Sequence, residues 1–216
     1  MRPSVGLTFG AVVLLLLAVG SCSNTPPTRF YVLSAIADQP TAVPGKRVAI
    51  GIGPITLPQY LNRPQIVTRV SGNQLAVAEF DQWGGDLNDN VTRALATNLS
   101  SLLETDRVFL FPWKDESSID YQVTIDMVNF EQDVDGSSVL VAYWSIVDPR
   151  SGKAKLMRRS TYRDSSGAAP AGTAASTGTS QGGGARPYDA VVAAMSRNLE
   201  ALSHDIASAI SSLKGK

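Results

Sequence analysis

The chain has 216 residues, with 19 Lys and Arg against 19 Asp and Glu, a formal net charge of +0, one His and one Cys. Basic residues scattered through such a balance exclude the clustered phosphate-binding footprint of a nucleic-acid-binding protein, and a single cysteine excludes an internal disulfide. The length is that of one domain of ordinary size around one buried core.

The amino-terminal segment reads as an address. Arg2 and the amino terminus supply positive charge, residues 11–19 form a short apolar centre, and small Gly20 and Ser21 precede Cys22. Residues 1–21 are therefore expected to be a signal peptide. Their apolar stretch falls short of the about 20 residues that a membrane-spanning helix needs. The run Leu17-Ala18-Val19-Gly20-Ser21-Cys22 resembles a bacterial lipobox. That resemblance implies a mature chain beginning at Cys22, bearing a covalent diacylglycerol and an N-acyl group. At about 0.8 kcal/mol per buried methylene, one acyl chain binds a bilayer only marginally and several make attachment lasting. A signal peptide cut elsewhere, leaving a free thiol, is the competing reading. Ser23, where an Asp would signal inner-membrane retention, implies the periplasmic face of the outer membrane.

Residues 22–28, with Pro26 and Pro27, read as a short lipidated tether, and residues 29–216 as one α+β domain. Residues 29–33 and 48–52 are aromatic and β-branched runs that suit strands. Pro54, Pro58 and Pro64 break regular structure around Tyr60-Leu61-Asn62-Arg63, which reads as an ordered loop with large side chains. Residues 65–70 and 74–80 form a hairpin around Ser71-Gly72-Asn73, with Gly72 expected to supply a positive φ. The period then changes. Asp86 can cap a helix in which Leu87, Val91, Leu95, Leu99 and Leu102 share a face.

A strand at 107–111 stops at Pro112. Three longer strands at 121–130, 138–147 and 155–162, joined by Asp135-Gly136 and by the turn at 148–152, predict an antiparallel meander. Lys153, Lys155, Arg158, Arg159 and Arg163 interleave with apolar residues as one solvated strand edge, the alternative being an anionic-headgroup site. Residues 165–186 are almost wholly Gly, Ala, Ser, Thr and Pro and are expected to form a flexible insertion. From Tyr188 through Val191, Met195, Leu199, Leu202, Ile206 and Ile210 to Leu213 an apolar stripe marks the last helix. The expected fold is thus α+β: an antiparallel or mixed sheet covered by two long helices, at about 86–103 and 188–213, in a single domain.

Catalytic chemistry is sparse. His204 lies between Ser203 and Asp205, but adjacent residues on a helix point in different directions, so the string is no triad. Gly51-Ile52-Gly53 follows a strand, yet Pro54 and Pro58 forbid the helix that a dinucleotide loop must open. Asp81, Asp86 and Asp89 are close in sequence, with Asp86 accounted for as a cap. No cluster has metal-ligand spacing. No enzyme activity and no cofactor beyond the lipid on Cys22 are expected.

The segment from Gly51 through Pro54, Pro58, Tyr60, Leu61, Asn62, Arg63 and Pro64 to Arg69 resembles the hallmark of the PqiC-type family of ABC-transport auxiliary lipoproteins. An aromatic strand like Phe30-Tyr31-Val32-Leu33 and a tryptophan segment like Phe80-Asp81-Gln82-Trp83 before the first long helix extend the likeness. The chain departs from the pattern at Gln82 and at Gly84-Gly85-Asp86, where members carry a basic residue and a Glu-Pro pair. The resemblance implies a non-catalytic subunit of an intermembrane lipid-transport system, docking a periplasmic conduit of MCE-domain protein at the outer membrane. Pro58, Tyr60, Leu61, Arg63 and Trp83 are the expected partner-binding residues, with Tyr60 and Leu61 equally suited to plugging one end of the sheet. A homo-oligomeric ring matching ring-shaped MCE partners is a further expectation. The alternatives are a periplasmic carrier holding a phospholipid between sheet and helices, and a structural envelope lipoprotein.

Overall fold

The structure, a computed structural model, describes residues 26–35, 47–165 and 188–214. The expected signal peptide, Cys22 and all but the first residue of the glycine-rich insertion lie outside the described residues.

One mixed sheet contains β1 (Arg29–Tyr31), β2 (Ile50–Thr56), β3 (Gln65–Ser71), β4 (Gln74–Trp83), β5 (Val108–Leu110), β6 (Tyr121–Gln132), β7 (Ser138–Asp148) and β8 (Lys153–Asp164). Two helices, α1 (Leu87–Leu102) and α2 (Asp189–Lys214), cover it and pack on each other, as the sequence predicts. Side chains alternate across a strand. On β7 this sends Leu140, Ala142, Trp144 and Ile146 into the core beneath the helices, while Tyr143 stands 51% exposed on the far face. Ile50, Ile52, Val123 and Phe130 complete the floor, and Leu95, Leu99, Leu199, Leu202 and Ile206 come down from the helices. Each such side chain contributes roughly 1.5–3 kcal/mol by leaving water.

Polar ties orient the helices. Asp86 accepts the Asn88 and Asp89 amides at the start of α1, as its cap position requires. Asn98 donates to the Ser203 hydroxyl between the helices, Asn198 reaches the Ser138 carbonyl at 2.9 Å, and the Tyr162 hydroxyl donates to Asp205 at 2.6 Å. His204 is exposed, with Glu200 3.9 Å away.

β6 is the hub. On one side it pairs antiparallel with β7, which pairs with β8, forming the expected meander; β8 is an edge strand whose Lys153, Lys155, Arg158, Arg159 and Arg163 are all exposed. On the other side two strands share its length. Parallel β2 pairs with residues 121–126, and parallel β3 meets β6 only at Thr68 beside Gln132. Residues 57–64 bridge from β2 to β3 past the unpaired stretch of β6 between them.

Two local expectations are corrected. β2 does not stop at Ile52 but continues through Pro54 to Thr56. Its register on β6 jumps between Ile52 and Ile55, so the proline, which lacks an N–H, falls at an irregularity where no ladder bond is lost. Gly53 makes this possible: its φ is +119°, and a Cβ there would lie 2.6 Å from that of Phe111. Gly72, by contrast, does not have the positive φ expected of the hairpin turn. The β3–β4 register shifts instead between Arg69 and Ser71, next to the turn.

Candidate functional site

The loop from β2 to β3 is built from its prolines outward. Pro58, with φ −54°, starts a single 3-10 turn, Gln59–Leu61. The turn is closed by bonds from the Leu61 amide to the Pro58 carbonyl at 2.9 Å and from the Asn62 amide to the Gln59 carbonyl at 3.1 Å. Leu61 drops into the core at 3% exposure, whereas Gln59, Asn62 and Arg63 face water. Between the two ends of the loop and the start of α1 lies a cavity of about 360 Å3, lined by Leu57, Gln59, Leu61, Asn62, Asp86 and Asn88 among others. Asn88 also donates to the Ile55 carbonyl at 2.8 Å, fixing α1 to the end of β2.

Beneath the loop lies a buried carboxylate. Glu131 on β6 is 2% exposed and accepts from four residues. The Tyr60 hydroxyl reaches Oε2 at 2.9 Å and the Phe130 amide the same oxygen at 2.8 Å. Arg69 Nη2 reaches Oε1 at 2.8 Å and Asn129 Nδ2 reaches it at 3.0 Å. A buried charge persists only when paired and hydrogen-bonded, and this one is both. The network spans the stretch of β6 that neither β2 nor β3 covers, so Tyr60 acts as the loop's underside latch.

The far end of the loop is held by a second carboxylate. The Trp83 amide donates to the Pro64 carbonyl at 2.7 Å, and Tyr31 lies beside Trp83 in the β1–β4 register. Asp81, 4% exposed, takes both Arg29 Nε and Nη2 at 2.6 Å and the Tyr31 hydroxyl at 2.8 Å. The aromatic first strand, the proline-bounded loop and the tryptophan segment, far apart in sequence, thus meet in one place.

Of the expected partner-binding residues, Arg63 is exposed and its side chain has no hydrogen bond or ion pair among the described residues; Pro58 is half-buried, and Tyr60 is half-buried and latched. Leu61 and Trp83, each 3% exposed, sit where neither can touch a partner without opening the fold. Their part is to hold the loop. Glu131 and Asn129 escaped the sequence reading, which named Arg69 and Asp81 without giving either a role at this site. Alternation from Val123, Ile125 and Met127 would put residue 131 on the core face; the irregularity of β6 between Met127 and Asn129 reverses that parity, turning Phe130 inward and Glu131 to the other face, where Tyr60, Arg69 and Asn129 close around it.

Burial, reinforced by the Glu131 charge, pushes the Tyr60 hydroxyl up to about 12. A phenol whose folded pKa lies above its ordinary value near 10 adds stability that is complete below pH 10 and lost as pH rises towards 12. Buried Tyr31 and half-buried Tyr162, bonded to Asp81 and Asp205, are raised in the same direction. Unfolding free energy measured in urea is expected to fall steeply across that interval and less steeply in Tyr60→Phe. Equal slopes in the two proteins would contradict the latch.

The model of the ABC-type transport auxiliary lipoprotein component family matches residues 31–207, and the chain belongs to that family. It is an auxiliary lipoprotein of ABC-type transport, a membrane-associated periplasmic class. Among solved structures, an uncharacterized protein superposes with a TM-score of 0.62 at 19% identity, covering 86% of this chain and 99% of its own. A protein from Xanthomonas campestris follows with a TM-score of 0.61 at 16% identity, covering 83% and 93%. At such identities the likeness is one of fold. No curated protein matches the chain.

Proposed function

We propose that this protein is a non-catalytic, PqiC-type subunit of an intermembrane lipid-transport system, held by acylated Cys22 on the periplasmic face of the outer membrane. There it docks the distal end of an MCE-domain conduit through the loop at residues 58–64. The observation that carries the reading is the loop's construction. It is latched from beneath through Tyr60 and plugged by Leu61, and it holds Gln59, Asn62 and Arg63 out to solvent. A surface ordered before binding loses little entropy when a partner arrives. Arg63, exposed and without an ion-pair partner among the described residues, is the group suited to an acidic or carbonyl-rich site on the partner.

Carriage of a lipid between sheet and helices is less well supported, because Trp144, Phe130, Leu95, Leu99 and Leu199 already fill that layer with side chains under 2% exposed. Arg63→Glu is expected to cut capture of the MCE-domain protein by about tenfold or more, through charge reversal at the contact. Its melting temperature should match that of the parent. Undiminished capture by the variant would place docking on another surface.

A further inference from the structure

Where β6 begins, at the end of the strand opposite the Glu131 network, separate parts of the chain converge on a mouth of about 370 Å3. Arg47 comes from the segment before β2, Asp148 and Arg150 from the β7–β8 turn, Lys155 from β8, and Lys214 from the last turn of α2. Asp120 and Tyr121, at the start of β6, also line it.

The carboxylates here are in use. Asp120 Oδ2 accepts the Ala49 amide at 2.9 Å. Asp148 Oδ1 accepts the Arg150 amide at 3.0 Å, and Oδ2 pairs with Lys155 Nζ at 3.3 Å. Partial desolvation works to raise the Asp148 pKa, but the Lys155 ammonium and the Arg150 amide outweigh it and hold the carboxyl below its ordinary range. Arg47 pairs with Asp106 at 3.2 Å. The Arg150 guanidinium and the Lys214 ammonium, both exposed, have no carboxylate partner among the described residues. A planar fork of donors beside a compact ammonium is a phosphate-binding pair. The Tyr121 ring, 5.9 Å from Lys155 Nζ, adds an apolar wall for the carbon skeleton attached to that phosphate. The volume lies near the lower end of the roughly 300–1,000 Å3 typical of ligand sites, which suits a head group and excludes a whole acylated lipid.

We propose that this mouth binds a phosphate ester on a small organic skeleton, with Arg150 and Lys214 as its direct contacts and the Tyr121 ring as its wall. Two sources offer that chemistry: a free ester, and the head group of a phospholipid whose acyl chains stay outside. The site is remote from the loop at 58–64 and does not depend on the docking role.

The full chain in non-ionic detergent is titrated calorimetrically with glycerol 3-phosphate and, separately, with dihexanoyl phosphatidylglycerol. Saturable binding of at least one is expected, weakened about tenfold or more in Arg150→Glu/Lys214→Glu and in the milder Arg150→Ala/Lys214→Ala, and unchanged in Arg63→Glu. Tighter binding of the phospholipid assigns the site to a lipid head group. Equal or weaker binding assigns it to a free ester. Absence of saturable binding to both probes, or equal affinity in the paired variants, would overturn the proposal.

Discussion

Glu131→Ala is expected to destabilise the protein by about 3–5 kcal/mol, the cost of breaking a buried ion pair by removing one partner. The change strands Arg69, Asn129, the Tyr60 hydroxyl and the Phe130 amide at once, all of which now donate to one carboxylate. In a chain of this size that is a fall of roughly 10 °C in melting temperature. The loop at 58–64 should open first, because Tyr60 loses its latch while Leu61 keeps its apolar seat. Hydrogen exchange at the Leu61 and Asn62 amides, both bonded within the turn, would report that opening directly. Replacing the pair together, as Glu131→Leu with Arg69→Met, is expected to recover much of the stability, since an apolar pair of similar volume leaves no charge uncompensated. A Glu131→Ala protein that melts within about 2 °C of the parent would show that the carboxylate is not the loop's support.

Cys22→Ala carries the largest expected effect on function. If the acyl groups on Cys22 hold the domain at its membrane, the variant should shift from the membrane fraction towards the soluble periplasmic fraction, because it lacks the acyl chains that bind the bilayer. Its folded domain should melt as the parent does and capture the MCE-domain protein in solution. In cells it should fail to complement loss of the gene. Fractionation and complementation read the two halves separately. Retention in the membrane fraction would point to a second anchor, and full complementation by a soluble protein would remove tethering from the mechanism.

Both experiments probe features with very different legibility. The expected lipidation at Cys22 was read from a local pattern, a run of six consecutive residues ending in the cysteine. The elements were legible for a similar reason. Asp86 before the Leu87, Val91, Leu95 repeat is a cap followed by a helical period, and the apolar stripe from Val191 to Ile210 is buried as its spacing requires. The strands of the meander were legible through alternation and through the glycines of their turns, Gly136 and Gly152, both with positive φ.

The candidate site was legible only in part. The prolines and large side chains marked residues 58–64 as an ordered loop, but nothing local told Tyr60 from Leu61, or an anchor from a plug. That distinction depends on what lies beneath, and Glu131 is 71 residues away from Tyr60 in sequence. Trp83 was misleading for the same reason. It entered the partner-binding set through the family resemblance, and its burial depends on β1, a three-residue strand distant in sequence, pairing with β4 so that Tyr31 lies beside it.

By itself, then, the sequence determined the class of fold, the positions of both helices and the long strands, and the expected site of lipidation, because each is written in spacing over a few residues. Tertiary structure alone decided that β2 and β3 share one side of β6, and that the unpaired stretch between them is filled by a loop. It also decided that a glutamate on the solvent-facing register becomes the buried hub of that loop. Burial is a property of everything packed around a residue, and no window of neighbouring residues contains it.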